Sequence, residues 1–337
     1  MRFIADRKPT NHLYLPGPHR GVLNAQATEA YEEIILTEAA FDALTFHAHG
    51  VLNAIPCYGT GGFTDDHRTT LKNTRRAFFA FDNGTGRGVV PLEDQARMLK
   101  ELGYDGIGYT GLTKIPEMLK ALDAQGMKMF TVYSSMSVDP DKPPYAPELK
   151  TAIEQLKGRD TIIWLNVLGG RPSSDAEDER AVAVVGEIAD LAAAAGLRVA
   201  FYPHVNNYVE RVEDGLRLIE KAKRKNLGVA FNLCHFLKTD DEKNLDACIR
   251  AAAPHLFLVN INGADSGDTR KMSWDRLIQR LDSGSFDLGR LLKTLDEVNY
   301  TGPVCLQSYL VPGDMRENLA RSIAAWRKLH SRRGSDN

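Results

Sequence analysis

Eight short β-rich runs alternate with amphipathic helical stretches along the 337-residue chain, and no other feature constrains its fold so strongly. The runs lie at 78–83, 106–111, 127–134, 161–168, 198–205, 228–234, 256–262 and 303–309. Between them lie stretches such as PLEDQARMLKELG, KIPEMLKALDAQG and VEDGLRLIEKAKRKN, with apolar residues three and four apart, as one face of a helix requires. Gly103, Gly126 and Gly196 each follow a helical stretch, where a left-handed C-terminal cap favours glycine. Eight βα units in about 250 residues is the content of a (β/α)₈ TIM barrel. Without the run at 78–83, inside RRAFFAFDNGTGRG, such a barrel would have seven strands and an open seam of unpaired edges. That run is therefore assigned to the barrel, and the last helix, 314–330, closes the outer ring. The expected α/β organisation is an N-terminal appendage at 1–75, a barrel at 76–330 and a polar tail at 331–337.

Composition narrows the partners. Hydrophobic residues make up 43% of the chain, enough for a large core, and the formal net charge is −2. That balance creates no field for nucleic acid or an anionic membrane. The basic patches at Arg75-Arg76 and 221–225 are short and read as solvated helix faces. The four cysteines, Cys57, Cys234, Cys248 and Cys305, form no C-x-x-C pair, which argues against a zinc ribbon and a disulfide framework. Free thiols suit a reducing compartment, so a cytoplasmic location is expected. The N-terminal MRFIADRKPTNHLY has no apolar run of signal-peptide length, and no segment reaches 18 uninterrupted apolar residues, so no membrane span is expected.

The N-terminal segment has its own pattern. EEIILTEAAFDALTFHAHGVLNAIPCYGTGGFT reads as a strand at 34–37, a helix at 39–49, a second strand at 52–57 and a Gly-rich turn, followed by a short helix behind Thr64-Asp65-Asp66. With Glu38 ending the first strand, Asp42 to Leu44, the turn from Tyr58 to Thr64 and the lead-in YLPGPHRGVLNAQ, residues 12–83 resemble a Toprim module of primases and topoisomerases. That resemblance implies a Mg²⁺ site made by Glu38 and a later Asp-x-Asp pair. The pair would be Asp82 and position 84, which is Gly84, so the second carboxylate is missing. A partial β-α-β-α appendage without nucleotidyl chemistry is the expectation, and a Toprim-type nucleic-acid role is the remote alternative.

In a (β/α)₈ barrel the active site lies at the C-terminal ends of the strands. The polar and aromatic residues there include Asp82, Tyr109, Tyr133, Trp164, Asn166, Tyr202, His204, Asn232, His235, Asn260, Asn262, Asp265, Gln307 and Tyr309. Rings beside amides suit a polyol or sugar, since rings stack on C–H faces and amides bond hydroxyls.

The stretches YDGIGYTG, YPHVNNYVERVED, GVAFNLCHFLK, LVNINGADSG and GPVCLQSYLVPGDMRENLARSIAAWRKL resemble the xylose isomerase-like barrels of sugar-phosphate isomerases and epimerases, over nearly all of 78–330. The resemblance implies an isomerase or epimerase acting on a sugar or keto-sugar by proton transfer at the barrel mouth. It also implies one divalent ion (Mn, Co, Zn or Mg) held by Glu, Asp, His and Glu on strands five to eight. The matching positions are His204, Asn232, Asn262 and Gln307, so every carboxylate of that set is replaced by a neutral group. A divalent metal is therefore only weakly supported. His204 and His235 are the candidates for proton transfer. Asn232, Asn262 and Gln307 are expected to orient the substrate, with Asp265, Tyr109, Trp164 and Lys238 as further contacts. The alternatives are a lyase or hydrolase of oxidised sugars and a non-catalytic sugar-binding barrel. The family also includes endonuclease IV, but the carboxylates of its three-zinc site are missing here and there is no basic excess for DNA. Members of the family are commonly homodimers, which is carried as an expectation.

Overall fold

The computed structural model of the protein describes residues 22–27, 31, 34–37, 40–57 and 90–332. The chain divides into two units, residues 1–75 with 333–337 and residues 76–332.

In the N-terminal unit, β1 (Ile35–Thr37) pairs in parallel with β2 (Ala54–Pro56), from Ile35 opposite Ala54 to Thr37 opposite Pro56. Parallel neighbours need a crossover, and α1 (Ala40–Ala48) supplies it. The Asn24 amide ties the lead-in to this pair, donating to the Leu52 and Ala54 carbonyls at 2.9 and 3.0 Å. Strand, helix and strand are where the sequence places them. Glu38, the turn at 58–64, Asp82 and Gly84 lie outside the described residues, and so does the expected strand at 78–83.

The larger unit opens with α2 (Leu92–Leu102), which buries Ala96 and Leu99 and stops at Gly103, where φ is 88°. Strands and helices then alternate: β3 (Gly106–Thr110), α3 (Ile115–Ala124), β4 (Lys128–Ser137), α4 (Glu148–Gln155), β5 (Ile162–Leu168), α5 (Asp178–Ala194), β6 (Arg198–Tyr202), α6 (Val212–Ala222) and β7 (Leu227–Asn232). There follow α7 (Leu233–Thr239), α8 (Leu245–Ala252), β8 (Leu256–Ile261), α9 (Trp274–Leu277), α10 (Leu288–Glu297), β9 (Val304–Leu306) and α11 (Met315–Arg332). Among the described residues the strands form one seven-stranded sheet in the order β3 to β9, every neighbouring pair parallel. The result is a nearly closed α/β barrel of the TIM type. Its strands are seven of the eight runs expected from the sequence.

Two strand ends differ from the sequence reading, each for a local reason. β4 runs on to Ser137 because Ser135, Met136 and Ser137 continue to pair with Asn166, Val167 and Leu168. β6 stops at Tyr202 because Pro203 has no amide proton for a ladder. The chain then turns, and the His204 amide bonds to the Val209 carbonyl at 3.0 Å.

Side chains alternate along each strand, so the sheet has two buried faces. Ile163, Leu165, Val199, Phe201, Val229 and Phe231 pack outward with Leu99, Met118, Leu122, Ile188 and Leu218 of the helices. Ile162, Trp164, Ala200, Tyr202, Ala230, Leu258 and Cys305 form a second cluster inside. The small Ala200, Ala230 and Cys305 leave room for Trp164 to stack on Tyr202, with ring centroids 4.0 Å apart.

Candidate active site at the strand ends

A cavity of about 810 Å³ opens where β3 to β6 and β9 end. Tyr109, Tyr133, Trp164 and Tyr202 form its aromatic wall, and His204, His235 and Gln307 face into it. The wall is braced by polar contacts. The Asn166 amide donates to the Tyr133 hydroxyl at 3.0 Å and accepts from Asn207 at 2.6 Å.

His204 follows β6 in the turn that Pro203 starts. Its Nδ1 lies 2.9 Å from the Val205 carbonyl. A carbonyl only accepts, so Nδ1 carries the proton and Nε2 keeps a lone pair. His235 stands in the first turn of α7, capped by Asn232, whose Oδ1 accepts from the Cys234 thiol at 3.0 Å and the His235 amide at 3.5 Å. The Nε2 of His235 lies 2.9 Å from the Tyr202 hydroxyl, and the Asn232 Nδ2 donates to the same hydroxyl at 3.4 Å. With the Tyr202 hydroxyl as donor to Nε2, the imidazole proton sits on Nδ1. That Nδ1 is buried without a partner.

The two imidazoles are in contact, with centroids 4.0 Å apart and planes tilted by 39°. Burial lowers the pKa of His204, and the Val205 carbonyl opposes the shift only in part. Burial pushes His235 well below the ordinary imidazole value, and the neighbouring His204 pushes in the same direction. Both rings are therefore neutral near pH 7, with a free base nitrogen on His204.

A buried ionic network holds the turn that carries His204. Tyr208, in the same turn, bonds through its amide to the Val167 carbonyl at 3.0 Å and through its hydroxyl to Asp178 at 2.6 Å. Asp178 also accepts from Arg217 at 2.9 Å and Lys221 at 2.7 Å, and Arg217 reaches Asp214 at 2.7 Å. Burial raises the Asp178 pKa, but its bonds to Arg217, Lys221 and Tyr208 outweigh that and hold it below the usual carboxylate range.

Of the residues singled out in the sequence, Tyr109, Trp164, His204, His235 and Gln307 meet at the cavity. Asn232 serves as the α7 cap and the Tyr202 donor. Asn262 is fully buried and spends its amide protons on the Gly263 and Leu277 carbonyls at 2.8 and 2.6 Å. Asp265 pairs with Arg276 at 2.8 Å, and Lys238 sits 5.6 Å above the Trp274 ring and donates to the Met272 carbonyl. None of these last four lines the cavity. Tyr133, Tyr202 and Tyr309, also among the strand-end residues read from the sequence, line the cavity too. Trp274, at the cavity edge, carried no signal because it lies outside the strands. Asn260 is buried opposite Asn232 in the ladder, and both ends of its amide lack a partner.

The four positions matched to metal ligands carry no carboxylate. Among the four positions matched to metal ligands, Asn232 has its oxygen on the α7 cap, and Asn262 has its amide protons on backbone carbonyls while its oxygen is buried without a partner. His204 and Gln307 alone reach the cavity. Among the described residues no group of three or more His, Cys, Asp or Glu is placed to hold a metal. Mn²⁺ and Mg²⁺ favour carboxylate oxygens, which none of the four positions supplies, whereas imidazole suits zinc and nickel.

A parallel barrel with a polar, ring-lined cavity at its strand ends is of the TIM-barrel class. Residues 110–329 match the family described as xylose isomerase-like TIM barrel, and the chain belongs to that family. A ketose 3-epimerase from Arthrobacter globiformis is 27% identical over 162 residues, 47% of this chain and 50% of that protein, so the chain spans about half the length of this relative. Among solved structures, the 3-keto-D-glucoside 4-epimerase of E. coli is similar with TM-score 0.61 and 17% identity, covering 75% of this chain and 99% of the other. L-Ribulose 3-epimerase is similar with TM-score 0.60 and 16% identity, covering 79% and 95%. At these identities the structural likeness shows the fold. The family match begins at residue 110 and does not reach the Toprim-like segment. Among the described residues no helix is long and apolar enough to cross a membrane.

Proposed function

We propose that the protein is a sugar epimerase or isomerase that moves a proton at a carbon beside the carbonyl of a sugar or keto-sugar. The observation that carries this reading is the pair of neutral imidazoles 4.0 Å apart against an aromatic wall. Family membership supports it, as do the epimerase names of the relatives. In this reading the sugar's C–H face stacks on Trp164 and Tyr202, and Gln307 bonds a hydroxyl. His204 Nε2 takes the proton from carbon. His235, bonded to Tyr202, backs the His204 ring and fixes its orientation toward the substrate. Epimerisation takes a proton from solvent on the opposite face of that carbon while His204 gives its proton up to solvent, and isomerisation returns the His204 proton to the neighbouring carbon. No step requires a metal.

The test is incubation in D₂O with a panel of free and phosphorylated ketoses and keto-sugars, followed by NMR. The expected result is deuterium at the carbon beside the carbonyl together with a new stereoisomer or carbonyl isomer. His204→Gln should lower the exchange rate by about 10²-fold or more, the usual contribution of a general base. Folded protein that exchanges no panel member would sink the reading, and bond cleavage in place of exchange would make the protein a lyase or hydrolase.

A further inference from the structure

The cavity is larger than one sugar ring needs, and its outer part differs from its inner part. A hexose has twelve heavy atoms. Even at about 30 Å³ for each, a whole water's share of liquid volume, it fills less than half of the 810 Å³. The inner part holds the imidazoles, Tyr202 and Trp164. The outer part is a rim of Trp274, Tyr309 and Leu310, which are 40, 45 and 70% exposed. Three large apolar side chains gathered half-bare around one opening is a pattern of binding surfaces.

Two details show that the rim is built. Trp274 is fixed on both sides, meeting His235 edge-to-face at 5.4 Å while Lys238 stands 5.6 Å above its ring. Leu310 has φ of 54°, a left-handed conformation that L residues with side chains avoid. A glycine would sit there with less strain, and leucine instead places an isobutyl group at the opening. Among the described lining residues Asp275 is the only carboxylate, and there is no lysine or arginine to meet a phosphate.

We infer that this rim is an aglycone subsite, so that the substrate is a glycoside carrying an aryl or alkyl group on its anomeric oxygen. The inference rests on the sugar-binding reading of the inner cavity. It also limits the chemistry. A glycoside has no free anomeric carbonyl, so the carbonyl that acidifies the C–H is a ketone on the sugar ring. The reacting sugar lies against the imidazoles, and the aglycone lies one ring outward on Trp274, under Tyr309 and Leu310.

The experiment measures binding by calorimetry on the full chain, so it does not depend on turnover. The probes are the phenyl and methyl glycosides of glucose, galactose and mannose, with D-fructose and D-psicose as free ketoses. The expected result is that at least one phenyl glycoside binds about tenfold or more tightly than its methyl counterpart, as burial of a ring's extra apolar area requires. Trp274→Ala and Leu310→Gly should each bring that ratio below about threefold, and Leu310→Gly relieves backbone strain, so it keeps the test usable if the tryptophan variant misfolds. A phenyl-to-methyl ratio near one, or a preference that survives in Leu310→Gly, overturns the subsite. If the free ketoses bind and the phenyl glycosides gain nothing, the subsite falls and the epimerase reading stands. If neither glycosides nor ketoses bind, both fall.

Discussion

His204 and His235 come from different βα units and stack at 4.0 Å, with Tyr202 bonded to the second ring at 2.9 Å. One proton on either ring disfavours a proton on the other, and burial disfavours both.

This contact predicts how stability depends on pH. In the unfolded chain each imidazole titrates near 6.5. In the folded chain both pKa values are lower. Below about pH 6.5 the unfolded state therefore binds more protons than the folded one, and stability falls as pH drops through that value. Urea midpoints measured from about pH 8 to 5 should decline on the acid side, and His235→Gln should flatten the decline. A wild-type midpoint constant over that range would contradict the buried pair.

Tyr202→Phe removes the hydroxyl that faces His235 Nε2 and accepts from Asn232. Two buried polar groups then lose a partner, which costs about 1–3 kcal/mol. Exchange activity should fall while the fold stays intact by circular dichroism. Unchanged stability together with unchanged activity would remove Tyr202 from the site.

Asn262→Ala leaves the Gly263 and Leu277 carbonyls without their donor in a fully buried setting. The expected loss is roughly 2 kcal/mol of unfolding free energy, with substrate affinity affected less than stability. A variant as stable as the wild type, but unable to bind sugar, would place Asn262 in the binding site instead.

Prolonged dialysis against a chelator should leave both melting temperature and deuterium exchange unchanged, because the four positions matched to metal ligands carry no carboxylate. Elemental mass spectrometry on protein purified without added metal or chelator checks this directly. Near-stoichiometric manganese, cobalt, nickel or zinc, lost together with activity on chelation, would reverse the conclusion.

Much of the barrel was legible in the chain. Its seven described strands follow from runs of β-rich residues, and the helices between them follow from three-and-four spacing, because both are properties of adjacent residues. Position at the C-terminal ends of the runs also marked Trp164, His204 and Gln307 as candidates at the barrel mouth. Local signals did not give the strand ends, since β4 continues to Ser137 only through its pairing with β5.

Which amides serve structure and which face the cavity was beyond the sequence. Asn260 and Asn262 are both asparagines on one strand face, yet Asn262 is spent on Leu277, fifteen residues on, while the Asn260 amide has no partner. The pairing of Tyr202 with His235 spans 33 residues and depends on how α7 settles on the end of β7. By itself the sequence determined the order of elements, the barrel they build and the loss of carboxylates at the four positions matched to metal ligands. The tertiary structure alone decided which of those groups meet and how far burial shifts their protons, because both depend on distances between residues that the chain brings together only on folding.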